Sequence, residues 1–163
     1  MSRAYAEDTA VPISRSREEI NQLLRAWRCD AIQWSDDFTS GRVQLRFRWT
    51  WEEVTYTARM EARIPSLAAI RREMQTARKV GTPTDIQVSA AQDQRSRAIH
   101  RLLALKLKAD LNCVRAGLFS AFDVFLPYVE GNDGMTMAEV AGPRLRALLS
   151  ASATALIEQQ MDR

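Results

Sequence analysis

From Arg42 to Ile64 the chain alternates apolar and polar side chains almost without a break, a period of two that no amphipathic helix can use. Val43, Leu45, Phe47 and Trp49 fall on one side, and Arg42, Gln44, Arg46 and Arg48 on the other. After Trp51-Glu52-Glu53, which reads as a turn, Val54, Tyr56, Ala58, Met60, Ala62 and Ile64 rejoin the first side. Thr55, Thr57, Arg59, Glu61 and Arg63 rejoin the second. Ala31 to Ser35 adds a short strand ahead of a turn at Asp36–Gly41. The pattern predicts a three-stranded antiparallel meander with one dry face and one wet face. A dry face must be covered, and helices are the covering that the rest of the chain supplies.

Ile20, Leu23, Leu24 and Trp27 mark a first helix, with Ser16 and Glu19 in capping-box spacing and Pro12-Ile13 bracing its entry. A long helix is predicted from Gln92 to Ala116, its stripe formed by Ile99, Leu103, Leu107, Leu111 and Val114 with Leu102 beside them. Gly117 follows, where a helix can turn left-handed and stop. Ser120 caps a short helix carrying Phe122, Phe125 and Leu126, which Pro127 ends. Thr136 and Glu139 form a second capping box for a last helix through Leu145, Leu148, Leu149 and Leu156, kinked or split at Gly142-Pro143. Between Ser66 and Ala90 the signal weakens. Leu67, Ile70 and Met74 allow a short helix with Arg71, Arg72, Arg78 and Lys79 on it or after it, and Gly81, Pro83 and Asp85 mark a loop. The expected fold is therefore α+β. It consists of an N-terminal helix, the meander, a basic irregular connector over 66–90, a long helix, and two C-terminal helices packed on one sheet face. Residues 1–12 read as a flexible tail and 13–163 as a single domain.

The charge is unevenly placed. Residues 31–116 carry fifteen Lys/Arg against nine Asp/Glu, and residues 117–163 carry three against six. A basic middle joined to an acidic end suits a nucleic acid or an acidic protein as partner. No run is long enough to span a membrane, no signal-peptide block opens the chain, and Cys29 and Cys113 lack CxxC spacing. A cytoplasmic, reduced setting without membrane attachment is expected.

Arg42, Arg46, Arg48, Arg59 and Arg63 share the wet face with Glu61 as the acid in opposition. Crowding like charge costs free energy unless anions or carboxylates sit opposite, and guanidinium forks match phosphate oxygens. A solvated face, a face covered by the acidic C-terminal region or a second subunit, and a nucleic-acid site all remain open. Arg97 and Arg101 near the start of the long helix form a second basic candidate, similar in element order to double-stranded-RNA-binding domains but without their loop motif. Trp27 and Trp49 lie on core faces, whereas Trp51 beside the turn is the tryptophan placed for partner contact. His100, the single histidine, has no readable catalytic neighbour, and Asp36-Asp37 lacks further ligands for a metal. No phosphate-cradling glycine loop occurs. No enzyme activity, cofactor or metal is expected.

Two segments carry a resemblance. Val11-Pro12-Ile13-Ser14-Arg15-Ser16-Arg17-Glu18-Glu19-Ile20 with Leu23-Leu24, and Leu102 to Leu111 through Val114, Gly117, Phe122 and Phe125-Leu126-Pro127, resemble a family of small uncharacterised proteins of bacteriophages and prophages. The likeness covers about half the chain, at its two ends, and Pro65–Ala90 departs most. It implies a phage-associated protein of the bacterial cytoplasm, near replication and recombination genes, and brings no catalytic residues. The leading expectation is a phage-type accessory protein binding DNA or RNA without catalysis. The alternatives are a protein-interaction module, such as an inhibitor of a CRISPR-like host defence complex, and a self-assembling structural protein, a homo-oligomer.

Overall fold

The structure, a computed structural model, describes residues 6, 8–77 and 82–161, those from 150 onward as backbone alone. Arg78, Lys79 and Gly81 of the expected connector, the side chain of Leu156 and residues 1–5 and 7 of the expected tail lie outside the described residues. The chain forms α1 (Ile13–Ala26), β1 (Ala31–Asp37), β2 (Arg42–Trp51), β3 (Val54–Arg63), α2 (Leu67–Ala77), α3 (Asp85–Arg115), α4 (Ala121–Phe125), a 3-10 turn (Leu126–Tyr128) and α5 (Met137–Met161). This is the expected α+β fold, with an antiparallel sheet in the order β1-β2-β3.

The alternation is realised in register, although of the residues expected to face in, Val54 beside the hairpin turn is 49% exposed and Tyr56, Ala62 and Ile64 are half-buried. Val43, Leu45, Phe47, Trp49, Ala58 and Met60 are buried on the dry face, where Ile20 and Leu24 of α1, Leu107 and Leu111 of α3 and Phe125 of α4 complete one core. The register runs without slip from Arg42↔Arg63 to Trp51↔Val54. The hairpin is closed by Glu52 and Glu53 alone, both left-handed at φ 48° and 65°. Two-residue hairpin turns demand that backbone, and Glu adopts it only because ten paired residues on each strand hold it there. At the other end Gly41, at φ 69°, accepts from Ile64 N–H at 2.8 Å. A Cβ there would lie 2.4 Å from the Ile64 carbonyl oxygen, so no other residue fits.

Several boundaries differ from expectation. Ser16 is not a cap: α1 starts at Ile13 after Pro12, and Ser16 lies inside it, fully buried with an unpartnered Oγ. Pro12 and its missing N–H suit the first turn, which moves the start one turn upstream. α3 begins at Asp85, not Gln92, because Thr84 and Gln87 form a true capping box and Val88 is buried. Within 66–90, Leu67–Ala77 and the residues from Asp85 onward are thus helical rather than irregular, and α2 stands between β3 and the long helix, which breaks the element order of double-stranded-RNA-binding domains. The stripe of α3 is also rotated at its N-terminal half. Ala98, His100, Ala104, Leu107 and Leu111 are buried, Ile99 is half-buried and Leu102 is 42% exposed.

The C-terminal region splits. Ser120 and Asp123 cap α4 reciprocally, and Phe125 inserts into the core. Val129 then bridges Ala58 and Glu130 N–H donates to Thr57 C=O, so this segment lies along the outer edge of β3. Thr136 and Glu139 cap α5 as expected. In the part of α5 whose side chains are described, however, Val140, Leu145, Leu148 and Leu149 are exposed rather than packed on the dry face. Gly142-Pro143 does not split it, since α5 is one helix through Pro143. Among the described residues no helix is long and apolar enough to cross a membrane.

Candidate functional site

The wet face of the sheet holds the arginines that the alternation put there. The register sets Arg42 directly across from Arg63 and Arg46 directly across from Arg59, with Gln44 and Glu61 between. Ile64 N–H to Gly41 C=O fixes which pairs exchange hydrogen bonds, and both arginine pairs fall on the non-bonded positions where side chains approach most closely. Two like pairs in that geometry must be compensated.

The two pairs are compensated differently. Glu130, 6% exposed, takes Arg46 in a fork, Nε at 3.0 Å and NH2 at 2.7 Å, and faces Arg59 Nε at 3.4 Å. Glu139 pairs with the Arg59 guanidinium from the first turn of α5. The Thr136 backbone amide, which Glu139 accepts, holds that carboxyl below its ordinary range, helped by Thr136 Oγ1 and Arg59. Arg46 and Arg59 are therefore clamps that fasten the C-terminal segment to the sheet. Arg42 donates to Ser40 Oγ at 3.2 Å, the nearest carboxylates to Arg42 and Arg63 are Asp37 at 3.6 Å and Glu61 at 3.8 Å, and Arg63 is 76% exposed. Arg48 is exposed beside Thr57. Of the five expected arginines, Arg42, Arg48 and Arg63 remain presented to solvent.

Arg97 and Arg101 do not join them. α3 lies on the opposite side of the sheet, where Arg101 pairs with Glu19 of α1 and Arg97 donates to Gln94 at 2.6 Å. Trp51 is not a free platform either. Its ring is half-buried and stacks on Phe122 at 5.7 Å, which places it in the aromatic layer under α4.

A second constellation joins α1, β1 and α3. Arg17 donates to Asp36 at 2.5 Å and to His100 Nε2 at 3.0 Å, and lies 4.6 Å over the Trp34 ring. Because Nε2 accepts from a guanidinium, the ring proton is on Nδ1, which donates to Ser96 C=O at 2.8 Å. Both nitrogens of His100 are engaged. They border a cleft of about 450 Å³ that Asp36, Phe38, Arg42 and Gln92 also line. Sequence reasoning had named His100 and Asp36 but not Arg17, whose partners lie far along the chain. Glu130 was missed in the same way, although the acidic balance of the C-terminal region was its signal.

Burial pushes the His100 pKa below 6.5, with Ser96 C=O and Asp36 opposing and Arg17 reinforcing. The unfolded chain then takes the proton first, so stability is complete above about pH 6.5 and falls as pH drops through the lowered folded value. Urea midpoints at pH 7.5 and 5.5 should differ in that direction, and His100→Gln should remove most of the difference. An identical pH response in the variant would show that His100 does not set it. Asp37, lowered chiefly by Ser40 Oγ, acts in a separate window below pH 4.

Cys29, half-buried, has its thiol pushed up to about 12 by burial and by Asp30, so it is not a nucleophile near neutrality. Among the described residues no group of three or more His, Cys, Asp or Glu side chains is placed to hold a metal ion. No protein-family model, curated protein or solved structure matches the chain.

Proposed function

We propose that the chain is a non-catalytic binding module whose wet sheet face takes the phosphate backbone of a nucleic acid through Arg42, Arg48 and Arg63. The observation that carries this reading is the unequal compensation of the face. Arg46 and Arg59 are neutralised by Glu130 and Glu139, whereas Arg42 and Arg63 stand across from each other with only loose, solvent-exposed carboxylates nearby. A phosphate between them would relieve that repulsion, and the planar forks suit its oxygens. The phage-type setting implied by the two resembling segments belongs to the same proposal.

The test is a fluorescence-anisotropy titration with single- and double-stranded DNA and RNA at 50 and 200 mM salt. Three phosphate contacts per chain give a log–log salt slope near −2.7, or about a 40-fold loss of affinity over that range. Arg48→Glu with Arg63→Glu should abolish binding, while Arg97→Glu should leave it unchanged. Binding that is indifferent to salt, or to the double variant, overturns the assignment.

A protein-interaction role is favoured by a different observation, the exposed leucines of α5. Val140, Leu145, Leu148 and Leu149 present an apolar run to solvent, and such patches on folded chains mark protein contacts. Retention of a partner protein that is lost on Leu145→Ser with Leu148→Ser, without retention on bare nucleic acid, would select this reading.

A further inference from the structure

The two edges of the sheet are not alike. The edge of β3 is met at Thr57 and Ala58 by Val129 and Glu130. The other edge is β1, and among the described residues its seven-residue strand pairs with β2 alone. An open edge is a template for another strand, and folded proteins normally blunt it. The parity of the sheet shows what this edge offers. Odd-numbered residues of β2 bond to β3, as Gly41 and Ile64 require, so even-numbered ones bond to β1. Through the register Asp37↔Arg42, Ser35↔Gln44 and Gln33↔Arg46, odd residues of β1 are used internally. Ile32, Trp34 and Asp36 therefore aim their peptide groups outward.

We infer that this edge pairs antiparallel with the same edge of a second copy, about a two-fold axis at Trp34, to make one six-stranded sheet. Centring on Trp34 uses all three outward peptide groups of each copy, with Trp34 opposite Trp34 and Ile32 opposite Asp36. A two-fold contact of this kind must be self-complementary, and three features of the chain meet that demand. First, the charge is complementary. β1 has Ala31 and Ile32 at one end, and at the other Asp36, which Arg17 already answers, and the more exposed Asp37. Antiparallel pairing sets each acidic end against the neutral end, and Ala31 is the register partner of the exposed Arg48. Parallel pairing would stack the carboxylates. Second, Phe38 directly after the strand is 94% exposed, an aromatic that no described residue of its own chain covers. Third, the same register carries Phe38 to Asp30 of the second copy. There a hollow of about 230 Å³ lies between β1 and α1, bordered by Asn21, Arg25, Cys29 and Ile32.

This dimer is independent of the nucleic-acid reading, and its test uses no nucleic acid. Sedimentation velocity of the full chain over a concentration series should show a monomer passing to a mass of two chains. Phe38→Asp should keep the circular dichroism spectrum, since the ring is exposed, and weaken the dimer roughly ten- to hundred-fold, the worth of a buried aromatic. A cross-link reports the register directly. The inferred pairing sets Gln33 opposite Ser35 of the second copy as a non-bonded pair, with Cα atoms about 4.5 Å apart, within disulfide reach. Both positions are exposed on the wet face. Mixing Gln33→Cys chains with Ser35→Cys chains under mild oxidation should therefore give a covalent mixed dimer that neither variant forms alone. A chain that stays monomeric at every concentration overturns the inference. So does a dimer that ignores Phe38→Asp and yields no mixed cross-link, because another surface would then hold it.

Discussion

Replacing Glu130 by Ala is expected to destabilise the fold by about 2–3 kcal/mol. Removing one partner of a buried ion pair leaves an uncompensated charge and costs about 3–5 kcal/mol. Glu130 is 6% exposed, but Arg46 is 42% exposed, and water screens part of that cost. The loss leaves Arg46 and Arg59 facing each other on non-bonded positions with Glu139 alone to answer them. For a chain of this length the melting temperature should fall by roughly 4–12 °C. The variant should also expose the segment that Glu130 fastens. Hydrogen exchange at the Glu130 amide, bonded to Thr57 C=O at 2.8 Å, should quicken while amides within β2 keep their protection. Adding Arg59→Ala should cost less than the sum of the two single changes, since both report on one network. A melting temperature unchanged within a degree would mean that the clamp is ornamental and the wet face is held by solvent.

Phe125→Ala should be costlier still, at about 3–5 kcal/mol. Phe125 is fully buried, and its ring lies 5.3 Å from Trp27, 5.3 Å from Phe47 and 5.7 Å from Trp49. Those neighbours come from the end of α1 and the centre of β2, so the cavity cannot close by moving one element. α4 has five residues and no stability of its own as a helix. Its packing also sets where the 3-10 turn leaves the core and hence where Glu130 meets the sheet. The expected signature is a collapse of the near-ultraviolet circular dichroism of the tryptophan cluster together with a lowered urea midpoint. A loss below about 1 kcal/mol would show that the cluster repacks around the gap.

The two variants separate two kinds of information in the chain. Phe125 was legible as an apolar residue of a short capped helix, and the structure uses it as one. The alternation from Arg42 to Ile64, the Ser120 and Thr136 caps and the dry-face residues were equally legible. Each rests on residues within a few positions or on strands joined by short turns. Thr84-x-x-Gln87 was just as readable and marks the start of α3 seven residues before the expected one. Ser16-x-x-Glu19 has the same form and caps nothing, because Pro12 starts the helix first. Such motifs compete, and the winner depends on which residue the core can bury: Val88 in one case, Ser16 in the other.

The candidate site was legible only as a set of arginines on one face. Their division into clamps and free cations was not, since Glu130 lies 84 residues from Arg46 and Glu139 lies 80 from Arg59. His100 was read as an ordinary residue beside a stripe that begins at Ile99. The stripe turns toward His100 because Arg17, 83 residues away, supplies the hydrogen bond that lets an imidazole be buried there. Trp51 looked exposed beside its turn until Phe122 came to stack on it. Patterning and capping by themselves determined the three strands, their order, the helices outside 66–90 and the two faces of the sheet, because backbone hydrogen bonding and side-chain periodicity are local. Only the tertiary structure decided which arginines are neutralised, which edge is left open and which face of α3 is buried in its N-terminal half. Those outcomes depend on charges and rings brought together from distant positions, where Coulomb attraction and burial act on distance in space.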